Sequence, residues 1–182
     1  MPNTFDFEKI LTSVDQNSLP PLHLWQPELS GDIDISIDAQ GVWRHCGDIF
    51  TRTEIPKMFA RILVKEQGEY FLKTPVEKWR IKVADVPFYF VHYQQTASQF
   101  GPQLSFVSLT QDVVVLDDTH SLRIEINKLT EEPTPYISVR GNMEGKLCRS
   151  LYYQLVELAI DDEQEQKIYL QSGGKKYFLG SY

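Results

Sequence analysis

Cysteine is scarce in this 182-residue chain: Cys46 and Cys148 stand alone. Two such distant thiols make neither a disulfide framework nor a metal-ligand spacing, and a reducing compartment is the default for such a sequence. No run of roughly 18 apolar residues exists, so no helix that crosses a bilayer is expected. The opening residues Met1 to Glu8 lack the basic start and apolar core of a secretion signal, and a cytoplasmic location is the expectation. Positive charge is also in short supply. Eighteen Lys and Arg face 25 Asp and Glu, for a net charge of -7. A nucleic-acid polymer or an anionic membrane would need a cationic surplus, so neither is expected as a main partner. A small anion held in a local basic pocket remains compatible.

Recognisable catalytic motifs are missing too. There is no Gly-x-Ser-x-Gly elbow. Gly173-Gly174-Lys175 lacks the earlier glycine and the following Ser or Thr of a phosphate-binding loop. His23, His45, His92 and His120 are scattered without ligand spacing. No catalytic residue, metal ligand or cofactor is therefore assigned, and an enzyme is not the leading expectation.

What is present is enough for a core. The hydrophobic share is 42% and the aromatic share 12%, which argues against disorder. Phe7, Ile10, Leu11 and Val14 predict a short helix over Asp6 to Val14. Pro20, Pro21 and Pro27 predict an extended, polyproline-like passage around His23 and Trp25, whose period-two spacing puts them on one side. Ile33, Ile35 and Ile37 alternate with Asp32, Asp34 and Ser36, and Ala39-Gln40-Gly41 turns the chain into a return strand over Val42 to His45. Thr53 is placed to cap a helix whose apolar stripe is Met58, Phe59, Ile62 and Leu63. Tyr70 to Val83 reads as strand, Pro75 corner and strand. Its second arm sets Glu77, Trp79, Ile81 and Val83 against a cationic face of Lys78, Arg80 and Lys82.

Farther on, strands are expected over Pro87 to Gln95, Leu104 to Leu109, Asp112 to Leu116, Leu122 to Lys128 and Tyr136 to Arg140, with a loop over Thr96 to Pro102. Gly141-Asn142 opens a second helix over Glu144 to Ile160, and Lys167 to Tyr182 forms a hairpin about Gly173-Gly174. Strand, glycine, helix, strand thus occurs twice, from Gly47 and from Gly141. At this offset Phe59 and Ile62 match Tyr153 and Val156, and Arg52 matches Lys146. The pattern predicts an α+β fold of two similar lobes, 1–83 and 84–182, each laying a helix on an antiparallel sheet.

Charged residues supply the candidate site. Asp32 and Asp34 face one way on a strand at roughly 6.5–7 Å spacing. They either hold a cation or divide acid from base, or simply form the wet face of an edge strand. Glu77, among apolar neighbours, is either a strand-end carboxylate on a backbone amide or a cleft carboxylate. Arg140, Lys146 and Arg149 gather at the expected start of the second helix, where the helix end adds partial positive charge for an anion; pairing with Glu144 is the alternative.

Several stretches together resemble a bacterial family of unknown function, number 1285 among such domains. They include Pro20-Pro21-Leu22-His23-Leu24-Trp25-Gln26-Pro27, Gly31-Asp32-Ile33-Asp34-Ile35, Gly41-Val42-Trp43, Tyr70-Phe71-Leu72-Lys73-Thr74-Pro75-Val76-Glu77-Lys78, Asp85-Val86-Pro87-Phe88 and Pro135-Tyr136-Ile137-Ser138-Val139-Arg140-Gly141. The match runs from about residue 19 to 160, and the family's usual His-Pro pair is replaced by His120-Ser121. The resemblance implies a duplicated core with a pleckstrin-homology-like C-terminal half. It also implies a site between the halves for a nucleotide-like molecule and a role in signal transduction.

The leading expectation is a module that binds a small anionic, nucleotide-like ligand and passes the event to a protein partner. Arg52, Arg140, Lys146 and Arg149 would hold the charged part. Asp32, Asp34, Thr74, Glu77 and Lys78 would meet the rest, with His23 and Trp25 closing one side. The alternatives are a hydrolase or transferase using Asp32, Asp34 and Glu77, with or without a metal, and a protein-interaction module offering a sheet edge.

Overall fold

The computed structural model describes residues 19–181. The expected helix over Asp6 to Val14 lies outside them. The chain divides into two units, Met1–Pro87 and Phe88–Tyr182.

In the first unit, a single 3-10 turn at Leu22–Leu24 replaces the expected polyproline passage, so period two no longer places His23 beside Trp25. A six-stranded sheet follows: β1 (Leu29–Ile37), β2 (Trp43–His45), β3 (Asp48–Ile49), β4 (Leu63–Glu66), β5 (Glu69–Lys73) and β6 (Lys78–Val83), ordered β3-β2-β1-β6-β5-β4. β1 and β6 run parallel and the other pairs antiparallel. Alternation of Ile and polar residues makes β1 one-sided, and Ile35 and Ile37 are buried. Because β1 lies between β2 and β6, Asp32 and Asp34 sit on an exposed face of a central strand, not on an edge.

Helix α1 (Glu54–Ile62) connects β3 to β4. Its stripe of Met58, Phe59 and Ile62 is buried as the 3.6-residue period requires, with Ala60 added. Thr53 occupies the cap position but makes no capping bond with its side chain. Phe59 contacts the rings of Trp43 and Phe50, with centroids 5.9 and 5.8 Å away. Each such aromatic side chain stabilises by about 1.5–3 kcal/mol when taken fully from water.

The outer face of β5 and β6 carries charge. Glu66 accepts hydrogen bonds from Lys73 at 3.0 Å and Lys78 at 2.9 Å. Arg80 reaches Asp32 at 2.9 Å and Glu69 at 3.1 Å. Lys78 and Arg80 also lie 5.1 and 5.7 Å from the centroid of the Phe71 ring. The hydrogen bond from Lys78, joined by Lys73, holds the Glu66 carboxyl below its ordinary value of 4.5 despite partial burial.

The second unit has a sheet ordered β10-β11-β12-β7-β8-β9 and a smaller one ordered β13-β14-β15. Its strands are β7 (Phe88–Ser98), β8 (Gly101–Ser108), β9 (Val113–Val115), β10 (Leu122–Ile126), β11 (Pro133–Arg140), β12 (Met143–Leu147), β13 (Ile160–Asp162), β14 (Lys167–Ser172) and β15 (Lys175–Ser181), with helix α2 (Arg149–Glu157) between β12 and β13. The expected loop over Thr96 to Pro102 is instead a tight connection, with Ser98 paired to Gly101.

The second helix also differs from expectation. Gly141 and Asn142 adopt φ of 54° and 59°, the left-handed pair of a two-residue hairpin turn, so the chain enters β12 there and not a helix. Met143, Gly145 and Leu147 are buried at every second position. Leu147 therefore belongs to a strand, and α2 begins only at Arg149. Lys146 and Arg149 are not neighbours one turn apart on a helix.

The duplication is real but shifted. β1-β2-β3-α1-β4-β5-β6 and β10-β11-β12-α2-β13-β14-β15 follow the same order, and β15 comes near β10, although those two strands stand in separate sheets whereas β6 and β1 pair in one. The buried triplet Met58, Phe59, Ile62 corresponds to Leu151, Tyr152, Leu155, an offset of 151 − 58 = 93. The pairing of Phe59 with Tyr153 and Ile62 with Val156 is thus one residue out, and Tyr153 is exposed. Arg52 does not correspond to Lys146: one precedes a helix and the other sits in a strand. The meander β7-β8-β9 is additional, and β7 pairs parallel with β12 at Gly145–Phe88, Lys146–Tyr89 and Leu147–Phe90.

A Cβ on Gly145 would stand 2.2 Å from Phe90 Cε2 and 2.9 Å from Phe88 Cβ. Gly145→Ala should destabilise the second unit by about 1–3 kcal/mol in urea unfolding; an unchanged midpoint would contradict the β12–β7 packing. The lowered carboxyl of Glu66 contributes stability above its unfolded value of 4.5, lost as pH falls through the lower folded value. Glu66→Gln should lower Tm near neutrality, and its deficit relative to wild type should shrink between about pH 5 and pH 3.

Candidate functional site

The end of β12, the start of α2 and the start of β11 line a cleft of about 170 Å³. Strand alternation turns Lys146 away from the buried side of β12, and the β12–β7 register sets Tyr89 next to it. Arg149 is the first residue of α2. Tyr152 and Tyr153 follow it, and Glu132, Pro133, Thr134 and Pro135 complete the wall.

Arg149 donates through Nη2 to Glu132 at 2.8 Å, and through Nε and Nη2 to the Tyr153 hydroxyl at 3.2 Å. These contacts raise its pKa, the Tyr153 bond most, so it stays cationic. Lys146 Nζ lies 6.0 Å from the centroid of the Tyr136 ring. Burial pushes the phenols of Tyr89 and Tyr152 upward, which keeps both neutral. Tyr152 is held in place by donating to the Leu179 carbonyl at 3.3 Å. Two cations and one carboxylate leave the cleft net positive in an acidic chain, and the adjoining helix end has no acidic residue in its first turn. Such an arrangement can attract an anion and face it with the neutral Tyr89 phenol, the Tyr152 proton being already given to Leu179.

Of the residues singled out from sequence, only Lys146 and Arg149 line this cleft. Arg140 ends β11 and donates to Asp112 at 2.8 Å, with its guanidinium 4.7 Å from the Phe88 centroid. Asp112 also accepts from Thr110 at 2.6 Å and Ser108 at 3.3 Å, so a largely buried polar knot ties β11 to the β8–β9 turn.

The remaining candidates belong to the first unit. Asp32 meets Arg80, while Asp34 is exposed. Thr74 is buried in the β5–β6 turn, where its hydroxyl accepts from the Glu77 amide at 3.0 Å. Glu77 accepts from Trp79 Nε1 at 3.3 Å rather than from a backbone amide. Lys78 serves Glu66. Arg52 and His23 are exposed and Trp25 is half-buried. No group of three or more His, Cys, Asp or Glu among the described residues is arranged to hold a metal.

The model for the N-terminal domain of DUF1285, a domain of unknown function, matches residues 20–86, and that for its C-terminal domain matches residues 87–179. The chain belongs to the DUF1285 family. Among solved structures, a DUF1285 protein from Silicibacter pomeroyi DSS-3 is 28% identical, with a TM-score of 0.85 over 98% of this chain and 97% of that one. A second DUF1285 protein, from Shewanella baltica OS155, is 27% identical, with a TM-score of 0.55 over 69% of this chain and 91% of that one. No curated protein matches the chain. The family model boundary falls at the same β6–β7 connection that separates the two structural units.

In this DUF1285 chain, sequence reasoning missed Tyr89, Glu132 and Tyr152 as neighbours of Lys146 and Arg149. The one usable signal was Gly141-Asn142, a strong hairpin dipeptide whose recognition would have produced β12. Arg140→Ala should cost about 1.5–3 kcal/mol, because Asp112 loses its cation while keeping the Thr110 and Ser108 hydroxyls. Removing Asp112 as well should return part of that loss, and additive effects in a double-mutant cycle would refute the coupling.

Proposed function

We propose that this protein is a binding module for a small anionic, nucleotide-like ligand, with the charged group seated at the cleft between Lys146 and Arg149. The observation that supports this reading is the convergence of two cations with three tyrosines at one helix start. The cleft volume of about 170 Å³ is below the roughly 300–1,000 Å³ of sites that enclose whole drug-sized ligands. The cleft thus takes the phosphate end and its nearest ring, and the remainder of the ligand extends past it. Glu132 neutralises Arg149 in the free protein, so the anion competes with Glu132 for the guanidinium. Release of Glu132 from Arg149 is the event that a protein partner reads in a signalling role.

Titration with AMP, ATP and inorganic phosphate, followed by calorimetry and thermal unfolding, tests the reading. The nucleotides should raise Tm. Arg149→Ala should weaken binding about tenfold or more, because a charge-assisted hydrogen bond contributes roughly 1.5–3 kcal/mol. Glu132→Gln should tighten binding by removing the competing carboxylate. Absence of binding at millimolar concentration, or binding indifferent to Lys146, Arg149 and Glu132, would overturn the proposal.

A further inference from the structure

A larger cleft, of about 370 Å³, lies elsewhere in the second unit, where the β7–β8 turn, the loop after β9 and the β14–β15 hairpin meet. Its floor is fixed. Ser172 is fully buried, and its hydroxyl donates to the Leu116 carbonyl at 2.8 Å while accepting from the Leu104 amide at 3.0 Å. The hairpin turn is seated closely as well: a Cβ on Gly174, whose φ is 79°, would stand 3.0 Å from the Phe100 carbonyl.

The rim has a distinctive chemistry. The side-chain amides of Gln99 and Gln103 and the hydroxyl of Tyr177 make no hydrogen bond among the described residues. Each carries both a donor and an acceptor. The ring of Phe100 is 66% exposed at the same edge. Asp118 is paired with Lys175, and Asp117 is occupied by Thr119 and His120, accepting from both backbone amides at 2.8 and 2.9 Å. Two carboxylates against one ammonium disfavour an anion, and both carboxylates are already engaged, Asp118 by Lys175 and Asp117 by Thr119 and His120, so neither is open to hold a cation. An apolar ligand would strand the carboxamides.

The geometry points to a second binding site, for a neutral polyhydroxylated ring of the carbohydrate class. Sugar hydroxyls both donate and accept, which matches the two carboxamides and the phenol. The C–H face of such a ring is apolar and fits against Phe100. The Lys146–Arg149 cleft shares no lining residue with this one, so the two sites are independent.

Saturation-transfer NMR on the full chain with N-acetylglucosamine, maltose, cellobiose and, as a contrast, adenosine tests the assignment. Transfer to the C–H protons of at least one sugar is expected. It should be lost in Phe100→Ala and in Gln103→Ala, and retained in the Lys146→Ala/Arg149→Ala double variant. Phe100→Ala keeps the Cβ against which the hairpin turn is seated, so the fold should survive, as a matching thermal transition would show. No transfer to any of the sugars, transfer to adenosine alone, or sugar transfer unchanged by both rim substitutions would overturn it.

Discussion

The parallel pairing of β1 with β6 is the constraint on which the first unit depends. Parallel neighbours cannot be joined by a tight turn, so the chain between them must travel out and return. Here it leaves through β2 and β3, crosses in α1, and comes back through β4 and β5. That route puts the buried stripe of α1 under the sheet and brings Trp79 of β6 against Gly31 of β1, where a Cβ would meet the indole at 3.5 Å. The second unit repeats the order of elements with β10 to β15 and α2, but β10 and β15 stand in different sheets, and its parallel pairing is between β12 and β7. The added meander is what creates the wall beside Lys146.

Charge in this chain is mostly occupied at short range. The basic face of β6 is matched by Glu66, Glu69 and Asp32, and Arg140 is bound into the knot around Asp112. These pairs differ in weight. The ladder on β5 and β6 is partly solvated, where single pairs contribute about 0–1 kcal/mol. Asp112 is shielded, and its loss of a partner leaves a carboxylate that water reaches poorly. A cation already held in this way makes a poor recruit for a ligand. Arg149 differs from these in its setting, because its counter-ion Glu132 is itself exposed and both line a cleft that Lys146 shares.

The two clefts in the second unit have opposite electrostatic character. One is cationic and phenolic, and the other is rimmed by carboxamides with two carboxylates against one ammonium. Both arise where strands end and connections turn, which is where a rigid sheet leaves side chains free of ladder packing. Neither depends on a sequence motif.

Periodicity in the sequence determined much of the fold. Alternating isoleucines specified β1, the 3.6-residue stripe specified α1, and Gly173-Gly174 specified the last hairpin, because burial on one face leaves few registers open. Thr74-Pro75-Val76-Glu77 fixed its own turn through the Thr74 hydroxyl. The family resemblance was legible in strings such as Thr74-Pro75-Val76-Glu77-Lys78 and not in periodicity, and the duplication was legible one residue out of register. Tertiary structure alone decided which charges meet. Arg140, Lys146 and Arg149 look alike in sequence, yet a strand begun by the left-handed Gly141-Asn142 pair separates their surroundings. Arg140 finds Asp112, 28 residues away, and Lys146 finds Tyr89 through parallel pairing. Local pattern encodes which way a side chain points, whereas its partner is set by long-range strand pairing that no local spacing records.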